Sequence, residues 1–125
     1  MRLEFTVPGC PVPKARARVV NGHAFTPKTT TAYERKVVAC YLAAKRGRAP
    51  IVGPVQVSLW FYLPDKRRRD WDNLAKAITD ALNGYAYADD SQISRARVDV
   101  TLDRGNPRCL VVVEPAEVFG ESGVA

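Results

Sequence analysis

Residues 55–84 read VQVSLWFYLPDKRRRDWDNLAKAITDALNG. Val55, Val57, Leu59, Phe61 and Leu63 alternate strictly with Gln56, Ser58, Trp60 and Tyr62, so successive side chains fall on opposite faces of a strand. Pro64 closes it, because proline has no amide hydrogen for a neighbouring strand. Beyond Asp70 the period changes. At 100° steps Trp71, Leu74, Ala75, Ile78, Ala81 and Leu82 share one side, and Asp72, Asn73, Lys76, Thr79, Asp80 and Asn83 the other. That is an amphipathic helix stopped at Asn83-Gly84. A strand passing into a helix through a charged corner implies a mixed α and β fold. The corner itself, PDKRRRDWDN, poses a chemical question: Lys66, Arg67, Arg68 and Arg69 attract an anion, while Asp70 and Asp72 attract a cation.

Toward the N-terminus, Leu3, Phe5 and Val7 alternate as a first strand ending at Pro8-Gly9. Lys14, Arg16 and Arg18 also alternate, so an extended backbone would point all three the same way, and Asn21-Gly22 reads as a hairpin tip before Phe25. Thr31 and Glu34 have capping-box spacing. Tyr33, Val37, Tyr41 and Ala44 recur helically, which predicts a first helix over 29–45, ended by Gly47. Toward the C-terminus, residues 84–92 form a loop, and Ala96, Val98, Val100 and Leu102 mark another strand. A turn follows at 103–107, and then CLVVVE, apolar enough for the middle of a sheet. FGESGVA, residues 119–125, is expected to fray. The order is β, hairpin, α, β, α, β, β, an α+β class.

A chain of 125 residues is one domain's worth. Nineteen Lys and Arg against thirteen Asp and Glu leave a formal charge of +6, and a basic surface concentrates polyanions such as nucleic acid. Cys10, Cys40 and Cys109 are odd in number and lack CxxC spacing, so neither a disulfide framework nor a zinc knuckle is expected. With no signal-peptide h-region and no apolar run of roughly 20 residues, the expected setting is the cytoplasm, without a membrane partner. His23, the single histidine, adjoins the hairpin tip and reads as solvated. Phosphate-binding loops, GxGxxG and GxSxG are missing, which sets aside nucleotide cofactors and acyl transfer.

Asp70 and Asp72 have an ordinary explanation at a helix start, where free amides and the dipole favour a carboxylate. Asp89-Asp90 is different, since two adjacent carboxylates in a loop repel one another. If the next strand lies beside the one ending at Leu63, Asp89 and Asp90 approach the mouth where Asp70 and Asp72 stand. Carboxylates about 4 Å apart repel by several kcal/mol at an effective dielectric near 20, and a divalent cation removes that repulsion. Oxygen-only ligands suit Mg²⁺ or Mn²⁺. Lys76, on the same polar face, could meet a scissile phosphate. Lys14, Arg16, Arg18 and Lys66 to Arg69 could hold the flanking DNA backbone. These are ingredients of metal-dependent phosphodiester hydrolysis.

The run PDKRRRDWDNLAKAITDALNGYAYADDSQI, residues 64–93, resembles the RusA family of Holliday junction endonucleases. The shared elements are a basic run, D-x-D-N, a lysine, D-x-L and D-D-x-Q in order. PGCPVPKARAR and FTPKTTTAYE extend the likeness from about Leu3 to Val113. The resemblance implies metal binding by Asp70, Asp72 and Asp90, with Asp89 the rival to Asp90 for the metal, and a catalytic role for Lys76. It puts Asn73, Asp80 and Gln92 in support, with Asp80 placed to hold Lys76 or a water. It further implies one domain over 1–118 and a homodimer with a mixed sheet flanked by helices. Such a dimer would cut four-way DNA junctions symmetrically with Mg²⁺, in recombination and repair, in a viral, prophage or host setting. Two alternatives stand beside it: a non-catalytic nucleic-acid-binding module, and a nuclease preferring flaps or forks.

Overall fold

Why the sheet takes its shape follows from which strands can bury both faces. The computed structural model describes residues 2–15, 18–25 and 27–116; the expectations for Arg16 and for the tail 119–125 lie outside the described residues, as does the side chain of Arg18. The strands are β1 (Leu3–Pro8), β2 (Arg18–Val20), β3 (His23–Phe25), β4 (Val55–Leu63), β5 (Ile93–Leu102) and β6 (Arg108–Pro115). The helices are α1 (Lys28–Lys45) and α2 (Trp71–Leu82), with one 3₁₀ turn at Asp90–Gln92. The apolar β6 sits inside the main sheet, ordered β1-β6-β4-β5, and β2 and β3 form a separate hairpin. At its tip Asn21 and Gly22 both have positive φ, 50° and 79°, as a two-residue hairpin turn requires.

β6 pairs antiparallel with β1 and β4, whereas β4 and β5 run parallel, Val55 opposite Ile93 and Leu63 opposite Leu102. A helix-containing crossover returns the chain to its starting end, which makes its two strands parallel. β5 therefore does lie beside β4, but its first residue is at the end remote from Leu63.

The inward residues of β4 share one buried cluster with Phe5 and Val7 of β1, Tyr33, Val37 and Tyr41 of α1, and Leu74, Ala77, Ile78 and Leu82 of α2. Both helices cover the same face. On the other, Arg97 stacks over Trp60 at 5.4 Å and Arg108 over Tyr62 at 3.8 Å, and Ser58 and Val112 are buried. Each fully buried Leu or Val contributes about 1.5–3 kcal/mol, so this cluster holds α2 against the sheet.

Three local expectations change. The Thr31–Glu34 pair does not cap α1: Pro27 precedes the helix, Thr31 Oγ1 donates to Pro27 O at 3.3 Å, and Glu34 binds Lys14 instead. Trp71, placed by periodicity on the apolar side, is 62% exposed, because it stands at the first helical position beside the edge strand β5. The loop 84–92 is mostly exposed but anchored: Ala86 and Tyr87 are buried, Tyr87 Oη donates to Thr79 O at 2.7 Å, and its last three residues form the 3₁₀ turn. Among the described residues no helix is long and apolar enough to cross a membrane. All three cysteines are free thiols; Cys10 is exposed, and burial pushes the Cys109 thiol up.

Candidate active site

The corner between β4 and α2 separates its charges by function. Arg69 folds back on Asp65 at 2.8 Å, and its side chain is only 10% exposed. The hydrogen bond from Arg69, aided by the Arg67 amide, holds the Asp65 carboxyl below its ordinary range. Lys66 and Arg67 are exposed with no ion-pair partner among the described residues, and Arg68, 94% exposed, reaches Asp70 only at 3.9 Å. The basic run thus divides into one structural arginine and three cations open to solvent.

Asp70 occupies the N-cap position of α2 without capping it; its Oδ2 meets Asn73 Nδ2 at a long 3.5 Å. Asp72 Oδ1 accepts the Asn73 amide at 2.9 Å. Both carboxylates are exposed on the polar face. Lys76, one turn further, is exposed and has no carboxylate within 4.0 Å among the described residues, although Asp72 and Asp80 each stand four residues away. Asp80 is occupied elsewhere. Lys14 Nζ lies 2.7 Å from Glu34 and 3.4 Å from Asp80, all three about three-quarters covered. Burial alone would lower the Lys14 pKa, but the hydrogen bond and charge of Glu34, with Asp80 behind them, raise it. The Lys14 amide also donates to Asn73 O at 2.8 Å, fastening the segment after β1 across the start of α2. Glu34 is the partner that sequence reasoning missed, for it lies twenty residues from Lys14 and no local spacing links them.

At the acidic pair the two members part. Asp89 caps the 3₁₀ turn: its carboxylate accepts the Ser91 amide at 3.1 Å, and hydrogen bonding from the Ser91 side chain, then from its amide, lowers the Asp89 pKa. Gln92 completes the box, accepting the amides of Ala88 and Asp89 at 2.8 and 3.0 Å and donating to Ile51 O and Gly53 O, both at 2.9 Å. The Asp90 side chain is exposed and has no hydrogen-bond partner among the described residues. Burial raises the nearby Tyr87 hydroxyl, and the charges of Asp90 and Asp80 add to it.

Asp70, Asp72 and Lys76 share the first half of α2. Asp89 and Asp90 do not join them, since they precede β5 at the opposite end of the parallel pair. No three potential metal ligands converge among the described residues. In type, exposed carboxylates that cap nothing suit a hard divalent cation; among the described residues no more than two of them stand together at the start of α2.

The model of the family described as endodeoxyribonuclease RusA matches residues 8–114. Crossover junction endodeoxyribonuclease RusA of Escherichia coli K12 is 46% identical over 46 residues, 36% of this chain and 38% of that protein. The same identity and shares hold for the namesake from Enterobacteria phage 82. YqaN of Bacillus subtilis 168 is 31% identical over 121 residues, covering 77% of this chain and 84% of its own. The alignment thus spans 38% of the length of the curated RusA proteins. With the family match running from the end of β1 to the end of β6, the chain belongs to the endodeoxyribonuclease RusA family.

Proposed function

We propose that this protein is a homodimeric, Mg²⁺- or Mn²⁺-dependent endodeoxyribonuclease that resolves four-way DNA junctions by paired symmetrical nicks. It would act in recombination and repair in the cytoplasm, in a bacterial or phage setting such as the relatives come from. The observation that carries the reading is the Lys76 ammonium, which among the described residues has no ion partner although two carboxylates flank it at helical spacing. A surface lysine so placed normally pairs at i,i+4. An unengaged cation on the face that carries Asp70 and Asp72, beside the open cations Lys66, Arg67 and Arg68, supports binding of a phosphodiester.

Asp70, Asp72 and Asp90 would hold the metal, with Asp89 shaping the turn that presents Asp90. When bound, the cation would activate a water for in-line attack and neutralise phosphate charge. Lys76 would place its ammonium against charge developing on the phosphate or leaving oxygen. Lys66, Arg67, Arg68 and Arg18 would hold the backbone on either side of the cut, a contribution that weakens with salt. Asn73 supports Asp70, and Gln92 supports the acidic turn. Lys14 and Asp80, already paired, would set the segment after β1 over the site.

The test compares cleavage of a mobile four-way junction with that of flap, fork and linear duplex DNA. Asp72→Asn should slow junction cleavage on the order of a thousandfold or more, equivalent to at least about 4 kcal/mol of barrier. Junction binding should persist or tighten, because a negative charge is removed. A variant that cuts at the wild-type rate refutes the assignment. Stronger cleavage of flaps or forks transfers the activity to that substrate, and a wild-type chain that binds junctions without binding Mn²⁺ is a binding module.

A further inference from the structure

Between Glu4 and Glu34 the chain carries Lys14, Arg16, Arg18 and Lys28 and no carboxylate. In the middle of that stretch β2 pairs with β3, Val19 opposite Ala24 and Val20 opposite His23, and among the described residues the two strands pack mainly on each other. Residues directly opposite share a face and successive residues alternate, so the two valines point to opposite sides of the ribbon. Val19 is 70% exposed and Val20 51%, and neither joins the core. An isolated two-stranded hairpin is marginal in water, and this one leaves a stiff aliphatic side chain open on each face. Burying both valines takes an occupant that flanks the ribbon on two sides.

The foot of the hairpin is fixed beside the acidic corner. The Lys14 amide donates to Asn73 O at 2.8 Å, and the Ala15 amide donates to Oγ1 of the buried Thr30 at 3.4 Å. Asn21, at the tip, follows Ala15 by six residues. Even a fully extended chain keeps the tip within about 20 Å of that foot, the length of about six base pairs.

We propose that the β2–β3 hairpin enters the major groove of a duplex arm next to the cut, where Val19 and Val20 bury thymine methyl groups. The inference rests on the DNA-cleaving reading above and adds a source of sequence preference. The groove, about 12 Å wide, admits a ribbon whose strands lie about 4.8 Å apart, and it offers a wall to each face. Its phosphate edges suit a segment that carries Arg16, Arg18 and Lys28 and no carboxylate. A second copy seated on the hairpin would instead set like charge against like. The thymine methyl is the apolar group that a duplex presents in this groove, so it is what an exposed valine can cover there.

The test measures binding without divalent metal, by fluorescence anisotropy. One four-way junction carries thymine in its arms, and a second carries deoxyuridine in the same places, which removes the methyl and nothing else. The wild-type chain should bind the thymine junction about fourfold more tightly for each methyl buried, the effect of taking one such group out of water. The Val19→Ser/Val20→Ser chain should lose that difference while its Mn²⁺ binding and its urea melt stay as in wild type. The thymine comparison is made on the wild-type protein and so stands whether or not the variant folds. Equal wild-type affinity for the two junctions overturns the proposal and leaves the nuclease reading intact, as does a double variant that discriminates as wild type does. A double variant that sediments as a smaller species than wild type gives the hairpin to a second copy and overturns the proposal too. A wild-type chain that binds neither junction overturns the junction reading along with it.

Discussion

Lys14 and Lys76 are both lysines beside α2, within reach of the same helix's carboxylates, and the fold treats them oppositely. Lys14 is three-quarters buried and joined to Glu34 and Asp80; Lys76 is exposed and joined to nothing among the described residues. The same division recurs elsewhere. Arg69 is folded onto Asp65 while Lys66, Arg67 and Arg68 face solvent, and Asp89 caps a turn while Asp90 beside it is left open. In each pair one charge is engaged within the fold and its counterpart is left largely to solvent. Charge count alone does not separate these roles; the pairing in the fold does.

The largest stability difference should fall on the lysines themselves. Lys14→Met strands two partly buried carboxylates, and breaking such a pair should cost about 3 kcal/mol. Adding Asp80→Asn should recover part of that, since one stranded charge is then removed. Lys76→Met, on the exposed face, should stay within about 0.5 kcal/mol while cleavage collapses. Urea melts of the three proteins beside a junction-cleavage assay check this, and equal melting midpoints for the two lysine variants would erase the distinction.

Much of this was legible because it is local. The alternation through Val55 to Leu63, the helical repeat from Trp71 to Leu82 and the Asn21-Gly22 tip each report a backbone period or a turn conformation. The resemblance put Gln92 in support without saying of what, its hold on the acidic turn being visible only in the structure, and Asp65 could have been found as the partner of Arg69 from its i,i+4 spacing. What was hidden is non-local. Alternation shows that Ala96 to Leu102 is a strand but not which way it runs, and its parallel direction reversed the expected approach of Asp90 to Asp70. Trp71 fits an apolar stripe by angle, yet a stripe does not say where the covering layer ends. Lys14 alternates with Arg16 and Arg18 as a strand of cations would, while its partners Glu34 and Asp80 come from two different helices.

The acidic pair offers a smaller contrast of the same kind. Asp89→Ala removes a cap and should cost about 1 kcal/mol. Asp90→Ala, losing a side chain with no partner among the described residues, should change stability by less than about 0.5 kcal/mol yet weaken Mn²⁺ binding more than tenfold. Thermal melts and calorimetry on the two variants separate the roles, and weaker Mn²⁺ binding in Asp89→Ala than in Asp90→Ala would exchange them.

The smallest effect concerns acid. Hydrogen bonds from Arg69, Ser91 and Arg108 hold Asp65, Asp89 and Asp103 respectively below the ordinary value of 3.8. A carboxylate whose folded pKa is depressed stabilises the fold above the unfolded value, and that contribution fades as pH falls through the folded one. These three residues therefore leave stability flat between pH 7 and pH 5, and their contribution declines only below about pH 4. Asp103 is the one to probe, because its partner Arg108 also stacks on Tyr62 and is held in place without it. Asp103→Asn should melt slightly below wild type at pH 7, and the two curves should converge toward pH 2 as the wild-type carboxylate takes up its proton. A gap that persists undiminished at pH 2 would mean that Asp103 matters through the turn it shapes with the Asn106 amide and not through its charge.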